Sequence, residues 1–290
     1  MQEIEFMLRI VTDSTSNLPE EMITELGIRV APIPIQFGDE TYEEGITIDR
    51  DLFYEKIEKM GVMPTSSQPT PAWFVRYYKE IAENSESGLV ITVTGDHSGT
   101  YDSALMAKAM VPEADIEVFD SKSISLGTGW MIIEAARAIK RGLPRDQILS
   151  LLMGIRERAR LFLTPETLKY LRMSGRVGRL QDALASLLNV KPIISMVDGR
   201  LQADENVRTR QKSLERLIER LKEAVGSEPP INLAVIHARA AEDGETLRRM
   251  AEDVLNVRET LIGDLTPSLA VHGGPGVVGV FAYARESTSG

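Results

Sequence analysis

Through the first 160 residues short apolar runs alternate with amphipathic stretches, and that alternation limits the chain to few architectures. Residues 8–12 (LRIVT), 28–37, 89–94 and 116–119 read as strands, and segments 19–26, 49–60, 71–84, 101–110 and 127–160 carry helical patterns. Strands separated by helices pair in parallel, because a parallel crossover needs a connection about as long as a helix. Local punctuation agrees. Gly27 is placed to end the first helix, and Thr70 followed by Pro71 resembles an N-cap and first helical residue. Pro32 and Pro34 remove two backbone donors, so the second strand is expected at an edge or irregular.

The pattern changes after Arg160. RLFLT precedes a helix ending near Ser174 and Gly175, a second helix LQDALASLLN follows, and Asp198-Gly199 is a strong two-residue hairpin signal. The apolar runs INLAVIHA, TLIGDL, SLAV and VVGVFAYA are interspersed with the helical patterns SLERLIERLKEAV and GETLRRMAEDVLN. The expected fold is α/β with two domains: a largely parallel sheet in 1–160 and a mixed or antiparallel sheet in 161–290. The sequence leaves open whether the final strand crosses back to the first domain.

Composition excludes several classes. A net charge of -10 argues against general nucleic-acid binding, which demands a basic surface. There is no cysteine, so there is neither a disulfide framework nor thiolate chemistry, as suits a reducing compartment. The start, MQEIEFMLRIV, has acids where a signal peptide has lysine or arginine, and no apolar run approaches the ~20 residues that span a bilayer. A cytoplasmic protein without stable membrane insertion is expected.

Four clusters of hydroxyl residues and histidines stand in a loop or just past apolar runs. They are Asp13-Ser14-Thr15-Ser16, Thr65-Ser66-Ser67, His97-Ser98-Gly99-Thr100 and His272-Gly273-Gly274-Pro275-Gly276. In an open α/β sheet the carboxyl ends of the strands converge on a crevice, where such clusters would meet. Hydroxyls and imidazole suit a carboxylate or phosphate, whereas a hydrolytic metal site needs carboxylates and histidines at ligand spacing. No metal or cofactor is expected. Asp13 and Ser14 are expected to close the first strand-to-helix turn, and His97 and His237 read as structural.

In order along the chain come IVTDSTSN, SSQPT, SGTYDSA, DSKSISLGTG, LRMSGRVG, VKPII with a following DG, and HGGPGVVG. This series resembles the DegV family of bacterial fatty-acid-binding proteins over essentially the whole chain. The resemblance implies a two-domain α/β protein with a long-chain fatty acid buried between the domains. It also implies a carrier rather than a complete enzyme, one that presents the fatty acid to a separate ATP-dependent kinase subunit for acyl-phosphate formation. The implied carboxylate contacts are Ser66, where the family usually has threonine, Ser98, and His272, followed here by Gly273 where threonine is more frequent. Arg176 of SGRVG matches a family arginine near the head group. Thr65, Gly99, Thr100, Gly273 and Gly274 complete the supporting loops.

Other readings stay open on the residues alone. Ser66 also suits a turn, and Ser98 a helix N-cap, a role compatible with ligand contact. A serine hydrolase would use Ser98 as nucleophile and His272 as base, although no GxSxG elbow or orienting acid is evident. No GxxxxGK[ST] or HExxH is present, and GGPGVVG lies too near the C-terminus to open a dinucleotide-binding unit. The locally basic stretch with Arg208, Arg210 and Lys212 reads either as a solvated helix face or as a docking patch for an acidic kinase surface.

Overall fold

Successive side chains of the first apolar run face opposite ways, Ile10 into one apolar layer and Val11 into another. In the computed structural model, which describes residues 7–176 and 190–284, this run is strand β1 (Leu8–Asp13). It lies in a four-stranded parallel sheet ordered β2 (Arg29–Ala31), β1, β6 (Ser87–Thr92), β7 (Asp115–Asp120). Helices α3 (Pro71–Glu83) and α4 (Thr100–Met110) cover the Val11 face through Phe74, Tyr78, Ala104 and Ala107. Helices α5 (Leu126–Lys140) and α6 (Arg145–Arg158) cover the other.

The single second strand expected over 28–37 is two strands in two sheets. β2 forms the edge of the parallel sheet, and beyond Pro32 the chain leaves it. β3 (Pro34–Phe37) pairs antiparallel with β4 (Glu40–Glu43) and β5 (Thr65–Ser66) in a small three-stranded sheet. The missing donors at Pro32 and Pro34 account for the break.

The remaining strands are β8 (Arg160–Thr164), β9 (Lys191–Val197), β10 (Arg200–Val207), β11 (Ile231–His237), β12 (Val257–Asp264) and β13 (Val278–Ala284). They form a mixed sheet ordered β10-β9-β8-β13-β11-β12, parallel only between β11 and β12. The β9–β10 hairpin turns at Asp198 and Gly199, both with positive φ as a type I′ turn requires. The final strand β13 sits between β8 and β11, so it does not cross back to the first sheet.

Helices α8 (Arg210–Val225) and α9 (Ala241–Val254) cover the outer face of the mixed sheet. Its inner face shares an apolar layer with the parallel sheet, and α5 lies within that layer. A helix enclosed on all sides must be apolar nearly all round, as LGTGWMII is, and its Trp130 Nε1 donates to the Leu233 carbonyl at 3.0 Å.

The SLAV run, read as strand-like, is helical. Thr266 and Pro267 open α10 (Pro267–Gly273), which Gly274 ends. Proline at the first helical position has no donor to lose, whereas a four-residue run with three apolar members does not by itself discriminate helix from strand. A 3₁₀ turn at Ser14–Ser16 and helices α1 (Glu20–Glu25), α2 (Arg50–Met60) and α7 (Lys169–Met173) complete the described elements. The expected helix LQDALASLLN lies outside the described residues. Among those described, no helix is long and apolar enough to cross a membrane.

Candidate functional site

The small sheet and α10 together build one wall of a pocket. Ala270 and Val271 of α10 pack with Ile33, Ile35, Phe37 and Phe53. This docking places the next residue, His272, with its Nε2 3.0 Å from the Ser66 hydroxyl on β5. Neither residue lies past the end of a strand of the parallel sheet.

The opposite wall follows the expected crevice. Thr15, Val93, His97 and Ser98 line the pocket just beyond the carboxyl ends of β1 and β6. Asp13 is fully buried and closes the first turn, its carboxylate accepting the Thr15 N–H at 3.0 Å and the Val93 N–H at 2.9 Å. Ser98 Oγ lies 2.8 Å from Thr100 Oγ1 and accepts the Thr100 N–H at 3.3 Å, so it supports the start of α4 while bordering the pocket. A Cβ on Gly99 would stand 3.1 Å from Gln68 Cδ, another lining side chain.

The structure thus brings Ser66, Ser98, Arg176 and His272 around one cavity of about 90 Å³, bounded also by Ile33, Ile124, Leu171 and Leu201. Thr65 pairs with Gln36 in the small sheet. Gly273 packs on Val277, whose Cγ1 would lie 2.9 Å from an added Cβ, so a threonine there would require Val277 to move. Gly274 has φ +73° and the Tyr170 ring over it, which leaves no room for a side chain.

Arg208, Arg210 and Lys212 stand away from the cavity. Arg210 is tied down by Asp243 and the Gly276 carbonyl, Lys212 pairs with Glu215, and Arg208 is exposed. Sequence reasoning did not single out Gln68 or Ser268. The spacing of Ser268 and His272, one helical turn, was hidden while SLAV read as a strand.

The site holds its imidazoles neutral. Burial first, then the positive charge of Arg176 and the neighbouring His97, push the His272 pKa down to about 3. Burial also lowers His97, whose Nε2 accepts the Leu201 N–H at 3.0 Å and thereby supports β10. Arg176 Nη1 donates to the Ser174 carbonyl at 2.8 Å and supplies the formal positive charge bordering the cavity.

A hydrolytic triad is not assembled. His272 Nε2 faces Ser66 and not Ser98, and its Nδ1 meets no carboxylate among the described residues. Nor is any group of three or more His, Asp or Glu among those residues placed to hold a metal ion.

A parallel and a mixed sheet sharing one apolar layer, with hydroxyls, imidazoles and one arginine around a small cavity, define an α/β protein with a polar pocket set against its apolar layer. A profile described as "uncharacterised protein, DegV family" matches residues 7–285, and the chain belongs to the DegV family. The structure of a fatty-acid-binding DegV family protein from Thermus thermophilus is similar, with 30% identity, a TM-score of 0.90, and coverage of 96% of this chain and 99% of that one. DegV of Bacillus subtilis, described as a fatty acid binding protein, is 31% identical with a TM-score of 0.87, covering 97% and 100%. A stearic-acid-binding protein from Eubacterium ventriosum is 27% identical with a TM-score of 0.89, covering 96% and 98%.

Proposed function

We propose that this chain binds a long-chain fatty acid, with Ser66, Ser98, His272 and Arg176 holding the carboxylate. The observation that carries the reading is the Ser66–His272 pair, brought together inside a pocket bordered by apolar side chains. The fatty-acid binding of similar DegV proteins supports it. In the Ser66–His272 pair one group donates to the other, which leaves the pair one donor for the carboxylate; the Ser98 hydroxyl supplies a second, and Arg176 balances the charge. The acyl chain follows Ile124, Leu171 and Leu201 between the units 1–160 and 161–290. Each methylene removed from water adds ~0.8 kcal/mol, so the tail supplies affinity and the polar groups supply orientation.

In this reading the protein is a cytoplasmic carrier, and the chemistry belongs to a separate ATP-dependent kinase. A carboxylate oxygen attacks the γ-phosphorus of ATP and ADP leaves, giving an acyl phosphate. His97, Arg176 and Leu201 border both the head-group cavity and an open cleft with Arg200 on its rim, which offers the kinase a way in. Arg208 and Lys212 form the docking patch, and Arg210 is shared with the fold's own ion pair.

The test is extraction of the purified protein with organic solvent, mass spectrometry of the lipids released, and native mass spectrometry for stoichiometry. One fatty acid per chain, lost in His272→Ala, supports the carrier. No lipid, even after incubation with a panel of fatty acids, overturns it.

A further inference from the structure

Glu44, next after β4, is a carboxylate in the interior, only 4% exposed, and among the described residues it forms no ion pair. It is held by three donors instead. One oxygen accepts the Ser268 N–H at 2.6 Å, and the other accepts the Ser268 hydroxyl at 2.8 Å and the Ser14 hydroxyl. Ser14 Oγ in turn accepts the Ile33 N–H at 3.0 Å, and the Glu44 N–H donates to the Ile33 carbonyl at 3.1 Å. Through its side chain and its backbone N–H, Glu44 therefore joins the β1 turn, the break after Pro32 and the start of α10. Asn17 adds a second tie, accepting the Thr266 N–H at 2.8 Å and donating to the Asp264 carbonyl at 3.2 Å.

Ser268 and His272 are one helical turn apart on α10, and both line the cavity. A short helix has little stability of its own, so its pose is set by what grips it. We propose that Glu44 is a positioning residue of the ligand site, acting through Ser268 to set the His272 imidazole against Ser66. The ligand part rests on the fatty-acid reading, whereas the effect on the imidazole does not.

The experiment uses the full chain labelled with ¹⁵N-histidine, in wild type, Glu44→Gln and Ser268→Ala, with stearate affinity measured in parallel. Glu44→Gln keeps the shape and removes the charge. It is expected to shift the His272 ring resonances and weaken stearate binding about five- to tenfold. In a His272→Ala background it is expected to cost no further affinity. Unchanged His272 resonances in folded Glu44→Gln overturn the proposal, as does an equal affinity loss with and without His272. Should Glu44→Gln fail to fold by circular dichroism, Ser268→Ala, which removes one hydroxyl donor, is judged on the same readouts. If the wild type binds neither stearate nor any other fatty acid of the panel, the fatty-acid reading falls while the ring resonances still decide the role of Glu44.

Discussion

The Ser66 hydroxyl and the His272 imidazole stand 3.0 Å apart although 206 positions separate them in the chain. Ser66 is carried by a two-residue strand and His272 by the last turn of a seven-residue helix, and the small sheet's apolar core holds both. Their juxtaposition is a product of packing and carries the consequences below.

In the proposed carboxylate site, truncating either partner removes a hydrogen bond to the ligand or the neighbour that orients it. Charge-assisted bonds of this kind contribute about 1.5–3 kcal/mol, so His272→Ala and Ser66→Ala are each expected to weaken stearate binding roughly 10- to 100-fold. Ser66→Thr retains the hydroxyl and stiffens the rotamer, and its affinity should stay within about threefold of wild type. Titration calorimetry on delipidated protein distinguishes these outcomes; equal losses in Ser66→Thr and Ser66→Ala would mean that the hydroxyl is not the contact.

Acid stability follows from His272. Its folded pKa is about 3 against an ordinary 6.5, so between those values the unfolded chain binds the extra proton. The stability of the neutral form is complete above about pH 6.5 and is lost as the pH falls towards 3, by up to about 1.4 kcal/mol per unit. His272→Gln has no such titration. Urea unfolding at pH 7, 5.5 and 4 should therefore show wild type losing ground relative to the variant, and parallel pH dependences would refute the assignment.

Gly199 at the hairpin tip meets the parallel sheet. Thr94 Oγ1 donates to its carbonyl at 3.0 Å, and an added Cβ would stand 2.5 Å from that oxygen and 2.7 Å from Lys122 Cδ, at φ +80°. Gly199→Ala is expected to cost about 1–3 kcal/mol, read as a lowered denaturation midpoint. A midpoint equal to wild type would show that the tip is free to move.

The basic patch divides by role. Arg210→Glu sets a carboxylate against Asp243 and should lower thermal stability. Arg208→Glu changes an exposed side chain, so stability and lipid retention should hold, while under the proposed carrier role kinase-dependent acyl-phosphate formation slows. Unaltered turnover in folded Arg208→Glu would move the docking surface elsewhere.

What the sequence determined by itself is local. The alternation of apolar runs and helical patterns specifies a parallel sheet, Asp198-Gly199 specifies a hairpin, and the order of motifs specifies the family. Each is legible because periodicity, turn conformation and motif spacing are properties of neighbouring residues. Tertiary structure alone decided the rest. Pro32 and Pro34 mark where the run 28–37 breaks, but which sheet each half joins depends on its distant partners, as does the place of β13 between β8 and β11. Glu44 stands in the acidic stretch GDETYEE, and only packing against the β1 turn, Ile33 and α10 encloses it. The Ser66–His272 pair depends on where α10 docks, and docking is set by the summed burial of Ala270, Val271 and the small sheet, which no local pattern records.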